Sequence, residues 1–183
     1  MIGHHTIYTI GHSVHPVDKF VDLLKAHRIE VLADIRSSPS SGFSPQFNRD
    51  ELKDTLLARG IRYVFLGKEL GGRPNGQHPT NLEDKMATYR QIRATAEFND
   101  GLARLKGGAA KYTVAVMCSE EDPESCHRHL LVAPALEDLG FAISHLRGDG
   151  GCLSEAELML KHSEKALRIM GRQLSLLPDD PAR

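Results

Sequence analysis

Two thiols, an imidazole and a guanidinium lie within eleven residues, and together they could support nucleophilic chemistry. Cys118 ends an apolar run, and Cys126, His127 and Arg128 follow a short acidic turn. A cysteine at a helix start beside cationic side chains tends to ionise, because positive charge and the helix dipole favour the thiolate. We therefore expect Cys126 to be the nucleophile and the thiol alkylated first at neutral pH, with a histidine as its base.

Other polar side chains are predicted to join this cluster. Arginine side chains and a helix N-terminus suit a phosphate or another anion. An acid could instead pair with one arginine as internal scaffolding, but one acid cannot neutralise three arginines, so we expect an anion site. The candidates beside Cys126 are His127, His12, Cys118 and Glu120 for catalysis, and Arg36, Arg73, Arg128, Ser13 and Asp34 for substrate or anion binding.

A zinc site is an alternative use of the same residue types, with Cys118, Cys126, His127 and His145 as its candidates. The two thiols are further apart in the chain than in most structural zinc sites, so the pattern does not by itself indicate a metal. A redox disulfide between Cys118 and Cys126 is another alternative, but the usual CxxC spacing is absent. The pattern identifies no cofactor.

Alternating strands and helices must position these residues. Apolar runs separated by amphipathic segments predict five strands, at residues 7–10, 31–33, 61–66, 113–117 and 141–146. This alternation indicates an α/β domain of the Rossmann or flavodoxin-like type, in which a mostly parallel five-stranded sheet carries helices on both faces. Right-handed crossovers bring the carboxyl ends of the strands to one edge, where such sheets bind ligands.

Length and composition favour one domain. The chain has 183 residues with a formal net charge of −1, and we expect residues 1–170 to form the α/β domain and 171–183 a flexible tail. The charge excludes a strongly basic nucleic-acid-binding surface but leaves a local basic patch open. The odd number of cysteines, three, argues against a disulfide framework, so we expect the protein to reside in the reducing cytoplasm. No apolar run approaches the ~18 residues of a membrane helix, so we expect no membrane partner.

The tail carries a separate signal for a protein partner. Gln173, Leu174, Leu176 and Leu177 resemble the short peptide by which bacterial repair and replication proteins bind the sliding clamp. A glutamine and spaced apolar side chains on an extended segment suit binding in a pocket. The alternative is that the last helix ends here and packs its leucines onto the domain.

Four ordered motifs together resemble one protein family. They are TIGHS at residues 9–13, the run from Asp34 to Phe47, LGGR at residues 70–73 and CSEEDPESCHR at residues 118–128. On these motifs the chain is identified as a member of the bacterial DUF488 family, whose domains have no settled activity. The resemblance implies an α/β domain. The resemblance also implies that this chain departs from the family pattern at one position, since the family usually carries an arginine where this chain has Gly42. If that arginine contacts an anion, the contact is missing here.

The leading functional hypothesis is a cytoplasmic, thiol-centred enzyme that acts on a phosphate-bearing substrate, either a nucleotide or a nucleic acid, in DNA repair. One alternative is a non-catalytic ligand-binding or adaptor module that its tail recruits to the sliding clamp. Another is a protein that binds a metal through cysteine and histidine.

Overall fold

In a computed structural model, which describes residues 6–73, 81–161 and 163, six strands form a single sheet. They are β1 (Thr6–Gly11), β2 (Val31–Asp34), β3 (Arg62–Phe65), β4 (Val114–Cys118), β5 (Ala142–Leu146) and β6 (Cys152–Ser154). The order is β3-β2-β4-β1-β5-β6, and every pair is parallel except the antiparallel pair of β5 and β6. The predicted α/β class is confirmed, and β6 is one short strand more than predicted.

Helices cover both faces of the sheet. They are α1 (Val17–Ala26), α2 (Arg49–Ala58), α3 (Gly67–Leu70), α4 (Leu82–Arg93), α5 (Ala96–Ala109), α6 (Ala133–Glu137) and α7 (residues 155–161). From β1 through β2 to β3, successive strands are added towards the β3 edge of the sheet. From β3 through β4 to β5, they are added in the opposite direction, towards the β6 edge. Because crossovers are right-handed, α1 and α2 lie on one face and α4, α5 and α6 on the other.

Two apolar clusters hold the layers together. On one face, Phe20 of α1 and Leu56 of α2 pack against Leu32 of β2. On the opposite face, Phe98 of α5 packs in the cluster that contains Ala33. Successive residues of β2 therefore face opposite layers, as the alternation of side chains along a strand requires.

The position of β4 creates the crevice of the sheet. All five residues of β4 are buried, and the strand lies between β2 and β1. The chain leaves β4 towards one face, whereas it leaves β1 and β2 towards the other. Helices therefore diverge at the carboxyl end of β4, which is where open α/β sheets bind ligands.

Two helix starts matter for the residues that they orient. A π-helix (Arg128–Val132) precedes α6. Pro134 lies in the first turn of α6, where its lack of a backbone N–H leaves no helical hydrogen bond unmade. The helix α7 begins with a capping box, in which Glu157 accepts from the Ser154 backbone at 2.8 Å and Ser154 Oγ accepts from the Glu157 backbone at 3.2 Å.

The predicted tail, with Gln173, Leu174, Leu176 and Leu177, lies outside the described residues, as does the predicted boundary at residue 170. Within the described ranges, no helix has the length and apolar character needed to cross a membrane.

Candidate functional site

A cavity of about 390 Å³ opens at the carboxyl ends of β2 and β4. Segments that follow both strands line it, together with one face of α4. Its charged or reactive lining side chains are Arg36, Arg73, Lys85, Tyr89, Cys118, Glu120 and His127. The cavity therefore coincides with the crevice that the strand order creates.

Cys118 and His127 form a thiol–imidazole pair at the cavity wall. Cys118 Sγ lies 3.4 Å from His127 Nδ1, and His127 Nε2 lies 3.1 Å from the carbonyl oxygen of Ile35. Because a carbonyl oxygen only accepts, Nε2 carries the proton, and Nδ1 of the neutral ring presents its lone pair to the thiol. His127 is thus oriented to take the Cys118 proton.

The electrostatics favour ionisation of Cys118 over Cys126. Burial opposes ionisation of Cys118, but a hydrogen bond from Cys126 and the charge of His127 lower its pKa to about 6. Burial and the neighbouring Cys118 raise the pKa of Cys126 well above its usual value. Burial alone would lower the pKa of His127, but the negative charge of Cys118 raises it. Near neutral pH, Cys118 is therefore the thiolate, and Cys126 is its neutral donor.

Glu120 adds a carboxylate to the same group. Its Oε2 lies 2.8 Å from Cys118 Sγ and 3.3 Å from Cys126 Sγ. Desolvation raises the pKa of Glu120, but hydrogen bonds from the two thiols outweigh it and lower the pKa to about 2. Cys118 cannot donate to Glu120 and be a thiolate at once. With His127 protonated the thiolate is favoured, and the Cys126 proton is then shared between Cys118 and Glu120.

The two cysteines differ in their position relative to the cavity. Both are buried, at 3% and 1% exposure, but Cys118 lines the cavity and Cys126 does not. Cys126 Sγ accepts from the backbone N–H of Arg128 at 3.5 Å and so caps the helix start. The helical segment that follows is a π-helix of five residues, and burial outweighs its dipole.

Arg36 and Asp34 form a buried ion pair, as the scaffolding alternative expects for one of the three arginines. Arg36 Nε lies 2.9 Å from Asp34 Oδ1, and a terminal nitrogen lies 2.6 Å from Oδ2. The guanidinium also donates to the Phe47 carbonyl at 2.8 Å and to His12 Nε2 at 3.1 Å. These contacts engage most of its N–H groups, so Arg36 shapes the cavity wall more than it supplies positive charge.

His12 supports Arg36 and does not reach the thiols as a base. Its Nδ1 donates to the Ser13 carbonyl at 2.7 Å, and its ring stacks on Phe47 with centroids 4.4 Å apart. Burial lowers the pKa of His12 to about 4, and the charge of Arg36 adds to this effect. The ring is therefore neutral, and both of its nitrogens have partners.

Three further predicted residues do not line the cavity. Arg128 is fully buried and donates to the Glu121 carbonyl. Ser13 is half-buried in a left-handed turn, with φ of 47°, after β1. His145 is fully buried and lies 2.7 Å from Glu155. Of the predicted site residues, those that the structure brings to the cavity are Cys118, Glu120, His127, Arg36 and Arg73.

Two cavity residues on α4 escaped the sequence interpretation. Lys85 Nζ donates to the Ser125 carbonyl at 3.2 Å, and Tyr89 is 5% exposed. Burial and the negative charge of the thiol group and of Glu120 raise the pKa of Tyr89, so its hydroxyl stays protonated and can donate. Lys85 and Tyr89 are four residues apart on the buried face of an amphipathic helix. A polar pair at that spacing is the signal that could have found them.

Two glycines are required by close approach of the chain. A Cβ at Gly11 would lie 1.7 Å from the Glu120 carbonyl oxygen, and a Cβ at Gly72 would lie 2.7 Å from Cβ of His127. Gly72 thus lets the loop that carries Arg73 pack on the imidazole. At Gly42, by contrast, a Cβ would meet nothing within 4 Å.

Among the residues that the structure describes, two sets of side chains are close enough to hold a metal ion. Cys118, Cys126 and His127 form one set, and His129, His145 and Glu155 form the other; in each set the ligand atoms lie within 4.8 Å of one another. The zinc alternative grouped His145 with the two thiols, but His145 lies in the other set.

Comparison with known proteins identifies the family. The family model described as domain of unknown function DUF488 matches residues 16–134, a range that includes β2, β4 and the segment with both thiols. No curated protein and no solved structure matches the chain. The matched range covers more than half of the 183 residues. The motifs around Cys118, His127 and the cavity thus belong to a recognised domain, and the protein is a member of the DUF488 family.

Proposed function

We propose that the protein is a thiol-centred enzyme in which Cys118 attacks a phosphate-bearing substrate, either a nucleotide or a nucleic acid. One arrangement carries this proposal: Cys118 Sγ at the cavity wall, 3.4 Å from a His127 ring whose other nitrogen is held by the Ile35 carbonyl. An oriented imidazole beside a thiol of lowered pKa is the usual means of activating a cysteine nucleophile.

The chemistry is a two-step transfer through a covalent thio-intermediate. His127 Nδ1 takes the Cys118 proton, and the thiolate attacks an electrophilic carbon or phosphorus as the bond to the leaving oxygen breaks. The leaving oxygen takes the proton from His127. In the second step a water gives a proton to the imidazole and attacks the same centre, and the Cys118–substrate bond breaks. Glu120, beside both thiols, is positioned to orient that water.

Features of the cavity wall support a phosphate-bearing substrate. Arg73 and Lys85 bring positive charge to the wall, and the hydroxyls of Ser37, Ser119 and Ser125 offer donors. The backbone of Arg73 donates to Ser37 Oγ at 3.1 Å, which fixes its loop over the cavity. A volume of about 390 Å³ suits a nucleotide-sized ligand or one extruded nucleotide.

The same proposal places the protein in the cytoplasm, in DNA repair. The three cysteines are free, and free thiols persist in a reducing compartment. The resemblance of the tail to clamp-binding peptides supports the link to repair.

Alkylation tests the nucleophile. In metal-free Cys152→Ser protein, which lacks the exposed thiol, we expect iodoacetamide to modify Cys118 before Cys126, with a rate that rises through a midpoint near pH 6. Peptide mass spectrometry locates the adduct. Modification of Cys126 first, or a midpoint near that of a free thiol at about 8.5, would contradict the assignment.

A turnover screen separates the enzyme from the adaptor module. We expect nucleotides or oligonucleotides to be converted by the wild-type protein, and the Cys118→Ser variant to lose conversion while it still binds. Deletion of residues 171–183 should leave conversion unchanged. If conversion is absent and only clamp recruitment responds to the deletion, the adaptor function is correct.

Zinc binding by Cys118, Cys126 and His127, the thiol cluster, is a second candidate function, because one observation favours it. The two Sγ–Nδ1 distances of His127 to Cys118 and Cys126 are 3.4 and 3.9 Å. Bond lengths of about 2.0 to 2.3 Å place the ligands of tetrahedral zinc roughly 3.3 to 3.8 Å apart. Glu120 would then serve as a proton-transfer group. Metal analysis of protein purified without chelator decides: a zinc ion that is lost in Cys118→Ser but kept in Glu155→Gln would favour this candidate.

A further inference from the structure

A second cluster of ionisable side chains lies in the interior, apart from the cavity wall. The side chains of His129, His145 and Glu155 are 4%, 0% and 6% exposed. Glu155 lies between the two imidazoles, with Oε1 2.6 Å from His129 Nδ1 and Oε2 2.7 Å from His145 Nε2. The rings are nearly perpendicular, at 82°, with centroids 6.1 Å apart.

Three different elements supply these side chains. His129 comes from the π-helix, His145 from β5, and Glu155 from the first turn of α7. Segments of π-helix occur frequently at functional sites. A fourth element orients the cluster, because Thr9 Oγ1 of β1 lies 2.7 Å from His145 Nδ1 and so turns Nε2 towards Glu155. Contacts of this kind orient imidazoles that bind metals.

Packing alone does not account for the cluster. A buried carboxylate with two imidazoles costs more free energy of desolvation than apolar side chains of similar volume would. The neighbouring Arg128 is also fully buried, which adds to the cost on this face of the sheet. A ligand that binds all three side chains would offset it.

We propose that His129, His145 and Glu155 bind one divalent transition-metal ion, with zinc as the first choice. Two imidazoles and one carboxylate are a recurrent ligand set for zinc and for non-haem Fe(II). Because none of the three lines the cavity at β2 and β4, the ion is structural: it ties the π-helix and α7 to β5. This site is separate from the thiol cluster and does not depend on the proposed enzymatic function.

The test uses the full-length Cys118→Ser/Cys126→Ser protein, in which the other cluster has lost its thiolates. We expect purification without chelator to yield about one zinc ion per chain by elemental analysis. Glu155→Gln, which keeps the shape and a hydrogen-bond acceptor, should weaken zinc binding at least tenfold. Thr9→Val should weaken it by about 10- to 100-fold. The matched control on α7 is Glu157→Gln, which should leave zinc binding unchanged.

Cobalt substitution of the wild-type protein provides a readout that does not depend on these variants folding. Co²⁺ bound by His129, His145 and Glu155 should add visible d–d bands without adding to the near-ultraviolet charge-transfer band that Co²⁺ bound by Cys118 and Cys126 would give. Either of two results would overturn the proposal: no zinc bound by the folded double-serine protein, or unchanged zinc affinity when Glu155→Gln is added to that protein and it still folds. The cluster would then be a buried hydrogen-bond network.

Discussion

Cys118 and Cys126 have the same side chain, and their surroundings give them opposite chemistry. Cys118 receives a hydrogen bond from Cys126 and faces an oriented His127, so its charge is stabilised. Cys126 is also buried and lies next to that negative charge, and both effects keep its proton bound. Reactivity at this site therefore depends on which thiol donates and which accepts.

The hydrogen bond from Cys126 can be tested with two substitutions. Cys126→Ala removes the donor to Cys118, whereas Cys126→Ser keeps one. We expect the Cys118 pKa, measured as the midpoint of its alkylation rate in metal-free protein, to rise by about one unit in the alanine variant, which corresponds to roughly 1.4 kcal/mol. The serine variant should show a smaller rise. Equal midpoints in wild type and Cys126→Ala would refute the role of this donor.

The lowered pKa of His12 predicts how stability depends on pH. Burial lowers the pKa of His12 from 6.5 to about 4, so between these values the unfolded chain binds more protons than the folded one. The stabilisation is fully present above pH 6.5 and is lost as the pH falls through 4, with a total of about 3 kcal/mol. We expect urea unfolding at pH 7 and pH 4.5 to give a smaller difference in His12→Gln than in wild type. An unchanged difference would contradict this account.

At the scale of elements, the ends of β1, β2 and β4 determine which side chains meet. Glu120 follows β4, and its carbonyl oxygen crosses directly over Gly11 at the end of β1. Asp34 at the end of β2 holds Arg36, and the Tyr63 hydroxyl on β3 also donates to Asp34 at 2.7 Å. The cavity wall thus depends on tight contacts between neighbouring strand ends.

The contact at Gly11 gives a prediction with a matched control. Gly11→Ala should displace the Glu120 backbone and destabilise the protein by about 3 kcal/mol, since its Cβ has no room. Gly42→Ala, where the Cβ has open space, should change the free energy of unfolding by less than about 0.5 kcal/mol. Urea unfolding measures both. The prediction fails if the two variants are equally stable.

Gly42→Arg should also fold normally, because the position is exposed and the space around it is open.

At the scale of the whole molecule, two chemically different clusters lie at different strands of one sheet. The thiol cluster lies at the carboxyl ends of β2 and β4, where the strand order creates a crevice. The His129 cluster lies against β5, beneath the π-helix and α7, and does not line the cavity. A ligand reaches the first cluster from solvent, whereas the second is enclosed by packed elements.

The tail prediction belongs to this scale as well. A peptide of residues 171–183 should bind a bacterial sliding clamp with high-micromolar affinity or better, through Gln173, Leu174, Leu176 and Leu177. A peptide with Leu176 and Leu177 replaced by alanine is the control and should not bind. Equal binding of both peptides, or of neither, would remove the clamp hypothesis.

The sequence by itself determined the fold class, the strand positions, the family and a pool of reactive residues. Apolar runs and helical periodicity are local properties, so they identified β1 to β5. The three-residue β6 lacked such a run and escaped prediction. The motif from Cys118 to Arg128 is likewise contiguous in the sequence, so its reactive residue types can be identified from the sequence alone.

Only the tertiary structure decided how these residues are used. It placed Cys118 but not Cys126 at the cavity, paired Arg36 with Asp34, and moved His145 to a separate cluster with His129 and Glu155. It also brought Lys85 and Tyr89 of α4 to the cavity wall. The physical reason is that burial and hydrogen-bond partners depend on contacts between elements far apart in the chain, and these together set the charge of a thiol or an imidazole.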